Sequence, residues 1–239
     1  MTGREFVVRG LASVGYRLTR LSTRLQPSAT PTDGGMPAHE KTLVGERDVE
    51  WAWTLAHLHQ NAGWVLDFGS GNGMLALAAS FAGNDVVAVD LEEEQYLFRG
   101  HRIEYRRGDF NVMDIEAGTF DQVINCSSIE HVGVAGRYGS PDRPDGDIVA
   151  MRKMAGLLKP DGTMVLSIPV GLDGVYPPWH RVYGEERAAR LLAPFRVTAE
   201  SYWAKLDSEK YEPVHRETAF TQPGSATYYA LGLYVLELR

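Results

Sequence analysis

VLDFGSGNG, running from Val65 to Gly73, is four strand-forming residues that give way to three glycines at alternate positions. Glycine has no Cβ, so such a loop turns tightly and lets its backbone approach a ligand. MLALAASFA (Met74–Ala82) then reads as a helix, and DVVAVDL as a second strand closing near Asp90. Strand, glycine loop, helix and a strand ending in an acid form the unit of a parallel sheet, whose ligands lie beyond the carboxyl ends of the strands. An acid at that point suits the paired hydroxyls of a ribose. A nucleoside triphosphate would need a lysine and a Ser or Thr after the last glycine, and neither follows Gly73 in that pattern. A dinucleotide calls for G-x-G-x-x-G, but the third glycine arrives one residue early and Met74 takes the later slot. Asp67 puts a carboxylate where a pyrophosphate would lie, which favours a cationic ligand.

The alternation continues along the chain. IEYRRGD supplies a third strand ending near Asp109, FDQVINC (Phe120–Cys126) a fourth and TMVLSIPV a fifth. Helices are expected over Thr42–Gln60, over Asp147–Leu158 with KPDG closing it, and near Glu185–Leu192. FRVTAESYWAKL and TYYALGLYVLELR are long strand patterns with no helix-length segment between them, so they are expected to pair antiparallel at one edge. The fold class that follows is α/β. It is a Rossmann-like, seven-stranded, mostly parallel sheet with helices on both faces and a C-terminal antiparallel hairpin.

A chain of 239 residues holds one such domain. The Pro/Gly/Ser/Thr stretch Gln26–Pro37 divides an arm and linker (1–36) from the main domain (37–239). Residues 1–35 carry a charge of +3 in a chain whose total is −7. Val7, Leu11, Val14, Leu18, Leu21 and Leu25 recur there at helical spacings. The arm therefore reads as a basic amphipathic helix that either covers the core or makes peripheral contact with an anionic membrane. Arg9 and Arg17 interrupt every candidate signal-peptide core, and the longest uncharged run, Phe68–Asn84, is too short and polar to span a bilayer. The expectation is a soluble, cytoplasmic protein. With Cys126 as its one cysteine the chain has no disulfide framework and no Cys-rich zinc site. Its acidity argues against nucleic acid as a partner and leaves a small-molecule substrate.

The glycine loop, Asp90, the Asp109–Phe110 pair and GLLKPDGTMVLSIP (Gly156–Pro169) together resemble the class I S-adenosylmethionine-dependent methyltransferases. The resemblance covers about Val65 to Leu172, with the two tail strands in outline. It implies S-adenosyl-L-methionine as the cofactor and a sheet that ends in an antiparallel hairpin. It also implies roles by position. Asp67, Gly69, Gly71 and Gly73 surround the amino-acid part of the cofactor, Asp90 with Leu91 beside it meets the ribose, Asp109 and Phe110 meet the adenine, and the backbone of Asn125 meets the methionine moiety. CSSIEHVGVAGRYG, PDGD and PVGLDGVYPPWHRVYG further resemble a bacterial branch grouped as domain of unknown function 268.

The (D/N)PP(Y/F) tetrapeptide typical of adenine and glutamine N-methyltransferases is absent, because Cys126, Ser127 and Ser128 follow Asn125. That moves the expected acceptor from an amine to a hydroxyl. Glu130 and His131 follow strand four and His180 follows strand five, so all three are catalytic candidates at one sheet edge. Three readings stay open for them. One makes His131 or His180 a general base. Another makes the trio ligands of a divalent cation, as in the E-x-x-E-H cluster of small-RNA 2′-O-methyltransferases and some quinone O-methyltransferases. Ser127 replaces the first acid of that cluster, and no metal is assigned. The third reading is a structural cap. Tyr176, Trp179, Arg181 and Tyr183 either present stacking faces and an anion-pairing fork to a polar ring or pack their loop on the sheet. The expected function is O-methylation of a small polar acceptor such as a sugar or glycan precursor. The alternatives are a quinone or lipid-like phenol O-methyltransferase at a membrane surface, or a non-catalytic cofactor-binding regulatory subunit.

Overall fold

The computed structural model describes residues 43–61, 63–92, 102–136, 138, 142–206 and 209–239. The arm and linker expected over 1–36 lie outside the described residues. β1 (Trp64–Phe68) pairs in parallel with β2 (Asp85–Asp90) on one side and β4 (Phe120–Cys126) on the other. β3 (Ile103–Arg107) extends the sheet beyond β2, and β5 (Leu158–Val170) extends it beyond β4, both in parallel. Strand order therefore reverses between β1 and β4, which opens a crevice at their carboxyl ends.

Burial on both faces follows from the two-residue period of a strand. In β1, Val65 packs with Leu75, Ala76 and Ala79 of α2 (Met74–Phe81), while Leu66 packs with Met151 and Met154 of α3 (Gly146–Leu157). Val86 and Ala88 of β2 join the first cluster, and Val87 and Val89 join the second. Continuous apolar strands are what a sheet covered on both sides requires. α1 (Glu46–Ala56) starts after Gly45 with Glu46 and Asp48 in its first turn, where carboxylates favour a helix N-terminus. Its Val49 packs with Tyr211, Leu231 and Leu233, and the same buried stripe carries Glu50.

Three details depart from the expectation. The described sheet has eight strands, in the order β3-β2-β1-β4-β5-β10-β8-β9. The eighth is β9 (Glu212–Val214), a three-residue edge strand whose proline can lack a ladder donor without loss. The final strand β10 (Ala230–Leu238) runs antiparallel between β5 and β8 (Phe195–Ala204), so the tail strands do pair but the last one is interior. KPDG does not form a turn between helix and strand. β5 begins at Leu158 directly after α3, and a register shift against β4 between Phe120 and Gln122 absorbs the extra residues. The loop after β5 forms a hairpin of β6 (Gly174–Tyr176) and β7 (His180–Val182), followed by α4 (Glu185–Leu191); α5 (Arg216–Phe220) precedes β10.

Candidate active site

A cavity of about 620 Å³ opens at the carboxyl ends of β1, β2 and β4. One half is built of backbone. Gly69 and Ser70 donate their N–H groups to the Val89 carbonyl at 2.9 and 3.1 Å, which folds the loop over the end of β2. Gly69 has a φ of 68°, and a Cβ there would collide with the Ser128 side chain. Gly71 has a φ of 50°, and nothing lies within 4 Å of the place its Cβ would take, so its bare face is open to the cavity. Asp90 accepts hydrogen bonds from the Gly71 and Glu92 N–H groups, both at 3.1 Å. The acid thus fastens the loop and still has lone pairs to offer. Asp109 accepts from the Asn111 N–H at 2.9 Å, and its other oxygen lies 3.5 Å from Arg143 Nη1.

Side chains from distant segments build the other half. Glu50, fully buried on α1, accepts from Arg47 Nη1 at 2.9 Å, from Ser167 Oγ at 3.0 Å and from Ser127 Oγ. Ser127 adopts a φ of 48°, a left-handed conformation that a non-glycine residue holds only under local constraint. The next turn carries Ile129–His131, with the Glu130 carboxyl buried. Burial first, and the Glu50 charge with it, pushes Glu130 up to about 8, against the pull of its own backbone N–H and of Arg47. Glu50 is raised too, mainly by burial, which Arg47 and the two serine hydroxyls partly oppose. His131 Nδ1 donates to the Trp179 carbonyl at 2.5 Å, which leaves the lone pair on Nε2, 3.7 Å from Glu130 Oε1. His180 Nε2 lies 3.0 Å from the Ser225 carbonyl and donates to it, with the ring edge-on to Tyr229 at 4.9 Å. Glu130, His131 and His180 all line the cavity that Gly71 lines.

The profile of the family described as Caenorhabditis protein of unknown function, DUF268, matches residues 77–221. The chain belongs to that family. The family's description reaches beyond the bacterial branch expected from the motifs. This DUF268 chain is also similar to the ubiquinone biosynthesis O-methyltransferase of Xanthomonas campestris pv. campestris (strain B100), with 34% identity over 161 residues, 64% of this chain and 62% of that one. The enzyme of the same name from Bordetella avium (strain 197N) is 34% identical over 127 residues, 50% of this chain and 47% of that one. The matched span thus covers less than two thirds of either relative. Among solved structures, a Burkholderia thailandensis 1,6-didemethyltoxoflavin-N1-methyltransferase, with bound 1,6-didemethyltoxoflavin and S-adenosylhomocysteine, aligns with a TM-score of 0.53 and 19% identity, covering 100% of this chain and 92% of that one. At that identity the likeness is one of fold, and the fold is that of the class I methyltransferases.

Within the DUF268 chain, Asp67, Gly69, Gly71, Asp90, Leu91, Asp109 and Phe110 line the cavity. The Phe110 ring is 4% exposed, packed edge-on to Phe68 at 4.8 Å and beneath the Lys153 ammonium, so little of it is open to a base. Gly73 stands behind the wall, donating to the Ser70 carbonyl at the start of α2. Asn125 stands outside the lining. It is fully buried, with Nδ2 at 3.8 Å from Met154 Sδ on the α3 face, and Cys126, Ser127 and Ser128 form the wall instead. Arg181 takes the packing alternative. Only 2% exposed, it donates to the Val132 and Pro144 carbonyls and lies 3.5 Å from Asp147, which also accepts two bonds from Arg187. Its fork holds the Glu130–His131 turn against α3 and is not available to an anion. Among the described residues no three His, Cys, Asp or Glu side chains converge as a metal site. Arg47, which lines the cavity, and Glu50 beneath it had no motif to announce them; only the helical stripe on which Val49 and Glu50 lie was readable.

Proposed function

We propose that this chain is an S-adenosylmethionine-dependent O-methyltransferase whose acceptor is an aromatic hydroxyl. The observation that carries the reading is one cavity with two unlike halves: an acid-and-glycine half suited to a ribose and an amino-acid tail, and a half with a buried acid and two histidines. When bound, the cofactor supplies a sulfonium methyl group for in-line transfer. Asp90 is placed for the ribose hydroxyls and Asp109 for the adenine amino group. The Arg47 guanidinium, about half exposed, is placed for the cofactor's carboxylate. On the acceptor side His131 is the general base. Its Nδ1–H is held by the Trp179 carbonyl, so Nε2 can take the hydroxyl proton, and Glu130 beside it remains protonated below about pH 8. His180, with Nε2 committed to Ser225, serves better as a wall.

The wall includes Trp51, Tyr138, Trp179, Tyr211 and Tyr229, flat surfaces that pack on a phenolic ring. With the Arg181 fork engaged elsewhere, a sugar acceptor loses the residue that spoke for it. The name of the relatives, ubiquinone biosynthesis O-methyltransferase, points toward the same acceptor chemistry. Among the described residues no helix is long and apolar enough to cross a membrane, and a cytoplasmic location belongs to this proposal rather than to the geometry. Calorimetry with S-adenosylhomocysteine and transfer of a labelled methyl to catechol test it together. Binding and transfer are expected. Absence of binding by folded protein removes the cofactor, whereas binding without transfer to any hydroxyaryl compound favours the regulatory alternative.

A further inference from the structure

Three cationic side chains line the cavity among the described residues, and two are already answered by acids. Arg47 meets Glu50 at 2.9 Å and Arg143 meets Asp109 at 3.5 Å. Lys205 is different. Its ammonium sits 4.8 Å from the centre of the Tyr211 ring, and no carboxylate among the described residues pairs with it. A continuous wall joins this lysine to the histidines: the Tyr211 hydroxyl donates to the Tyr229 carbonyl at 3.2 Å, and the Tyr229 ring meets His180 edge-on at 4.9 Å. His131 and Lys205 line the same cavity as this wall, so an acceptor with a hydroxyl at His131 shares its chamber with the lysine.

We infer that the acceptor is a hydroxyaryl acid whose carboxylate is held by Lys205, which makes that lysine a specificity-determining residue. The inference rests on the methyltransferase reading above. Lysine is a compact ammonium that pairs with an anion as a point charge, and a cation over an aromatic face is held where it can do so. One positive charge matches one negative charge. The cavity is otherwise lined by the acids Glu46, Asp67, Asp90, Glu92 and Asp109, an excess of acid that opposes a dianion such as a phosphate ester. The neutral aromatic surface of Tyr211 and Tyr229 takes the ring, and the lysine selects which ring enters.

The test titrates the protein saturated with S-adenosylhomocysteine using 3,4-dihydroxybenzoate and its neutral isostere 3,4-dihydroxybenzamide. The wild type is expected to bind the acid roughly 10- to 100-fold more tightly than the amide, the range for a hydrogen bond to a charged group. Lys205→Gln should bring the acid down to the amide, Lys205→Arg should keep most of the preference, and unchanged S-adenosylhomocysteine affinity reports that both variants are folded. Equal affinity for the two probes in the wild type, no binding of the acid, or a preference that survives Lys205→Gln overturns the inference. Methyl transfer measured on the same probes separates the two levels. Lys205-dependent binding with no transfer retires the methyltransferase reading and leaves the anion site, while equal transfer to both probes retires the anion site and leaves the methyltransferase.

Discussion

The two halves of the cavity are made by opposite strategies. In the cofactor half the decisive bonds join near neighbours in sequence: Gly71 to Asp90 across 19 positions, and Asp109 to Asn111 across 2. In the acceptor half they join segments far apart. Glu50 reaches Ser127 across 77 positions and Ser167 across 117, while His131 reaches Trp179 across 48 and Arg181 reaches Val132 across 49. A site made of local backbone geometry leaves a spacing in the sequence. A site made of long-range side-chain pairs does not.

The largest test of this contrast is His131→Ala. It is expected to lower turnover by roughly 10²–10⁴-fold with S-adenosylhomocysteine affinity nearly unchanged, as for a general base. His180→Ala should cost less, and steady-state kinetics of the two variants rank them. A larger loss at His180 would move the base there. Next comes Asp147→Ala, which strips the carboxylate from buried Arg181 and half-buried Arg187 and should destabilise the fold by about 3–5 kcal/mol, read by denaturant unfolding. Loss of less than about 1 kcal/mol would mean that the acceptor half does not depend on its ion network. Asp90→Ala touches only the cofactor half and should weaken S-adenosylhomocysteine binding by roughly 1–3 kcal/mol in calorimetry, with the acceptor half intact.

The last test reads a slope. Glu130 ordinarily titrates at 4.5 and is raised to about 8 in the fold. Between those values the folded protein holds a proton that the unfolded chain has lost, so stability should fall as pH rises through that window. Glu130→Gln should flatten the decline in unfolding experiments from pH 5 to 9. An unchanged slope would place the titrating group elsewhere, with Glu50 next in line.

How much was legible follows the same division. Val65–Phe68, Met74–Phe81 and Asp85–Asp90 were readable because apolar continuity and glycine spacing are local signals, and they carry Gly69, Gly71 and Asp90 into place. The side chain of Asn125 turns away from the cavity, because which face of β4 meets it depends on the pleat and on where the strand ends. For Arg181 two readings stood open because a loop sequence does not reveal the Asp147 carboxylate brought against it by α3. Glu50 was missed altogether. Its charge in an apolar helical stripe becomes meaningful only when Ser127, just past β4, and Ser167 of β5 arrive beside it.

The interior position of β10 sets a timetable for synthesis. The glycine loop, Asp90 and Asp109 all precede β4 in the chain, and the Gly71–Asp90 bond can close early. β5 and β8 are also made before β10, yet each keeps an open hydrogen-bonding edge until Ala230–Leu238 slides between them. Open strand edges invite pairing with other chains, and such long-range closure is slow. Tyr229 and Ser225, which hold His180, come from the same final segment. The acceptor chamber is therefore complete only once β10 is in place, and a chain stalled before β10 would carry a finished cofactor loop beside an unfinished sheet.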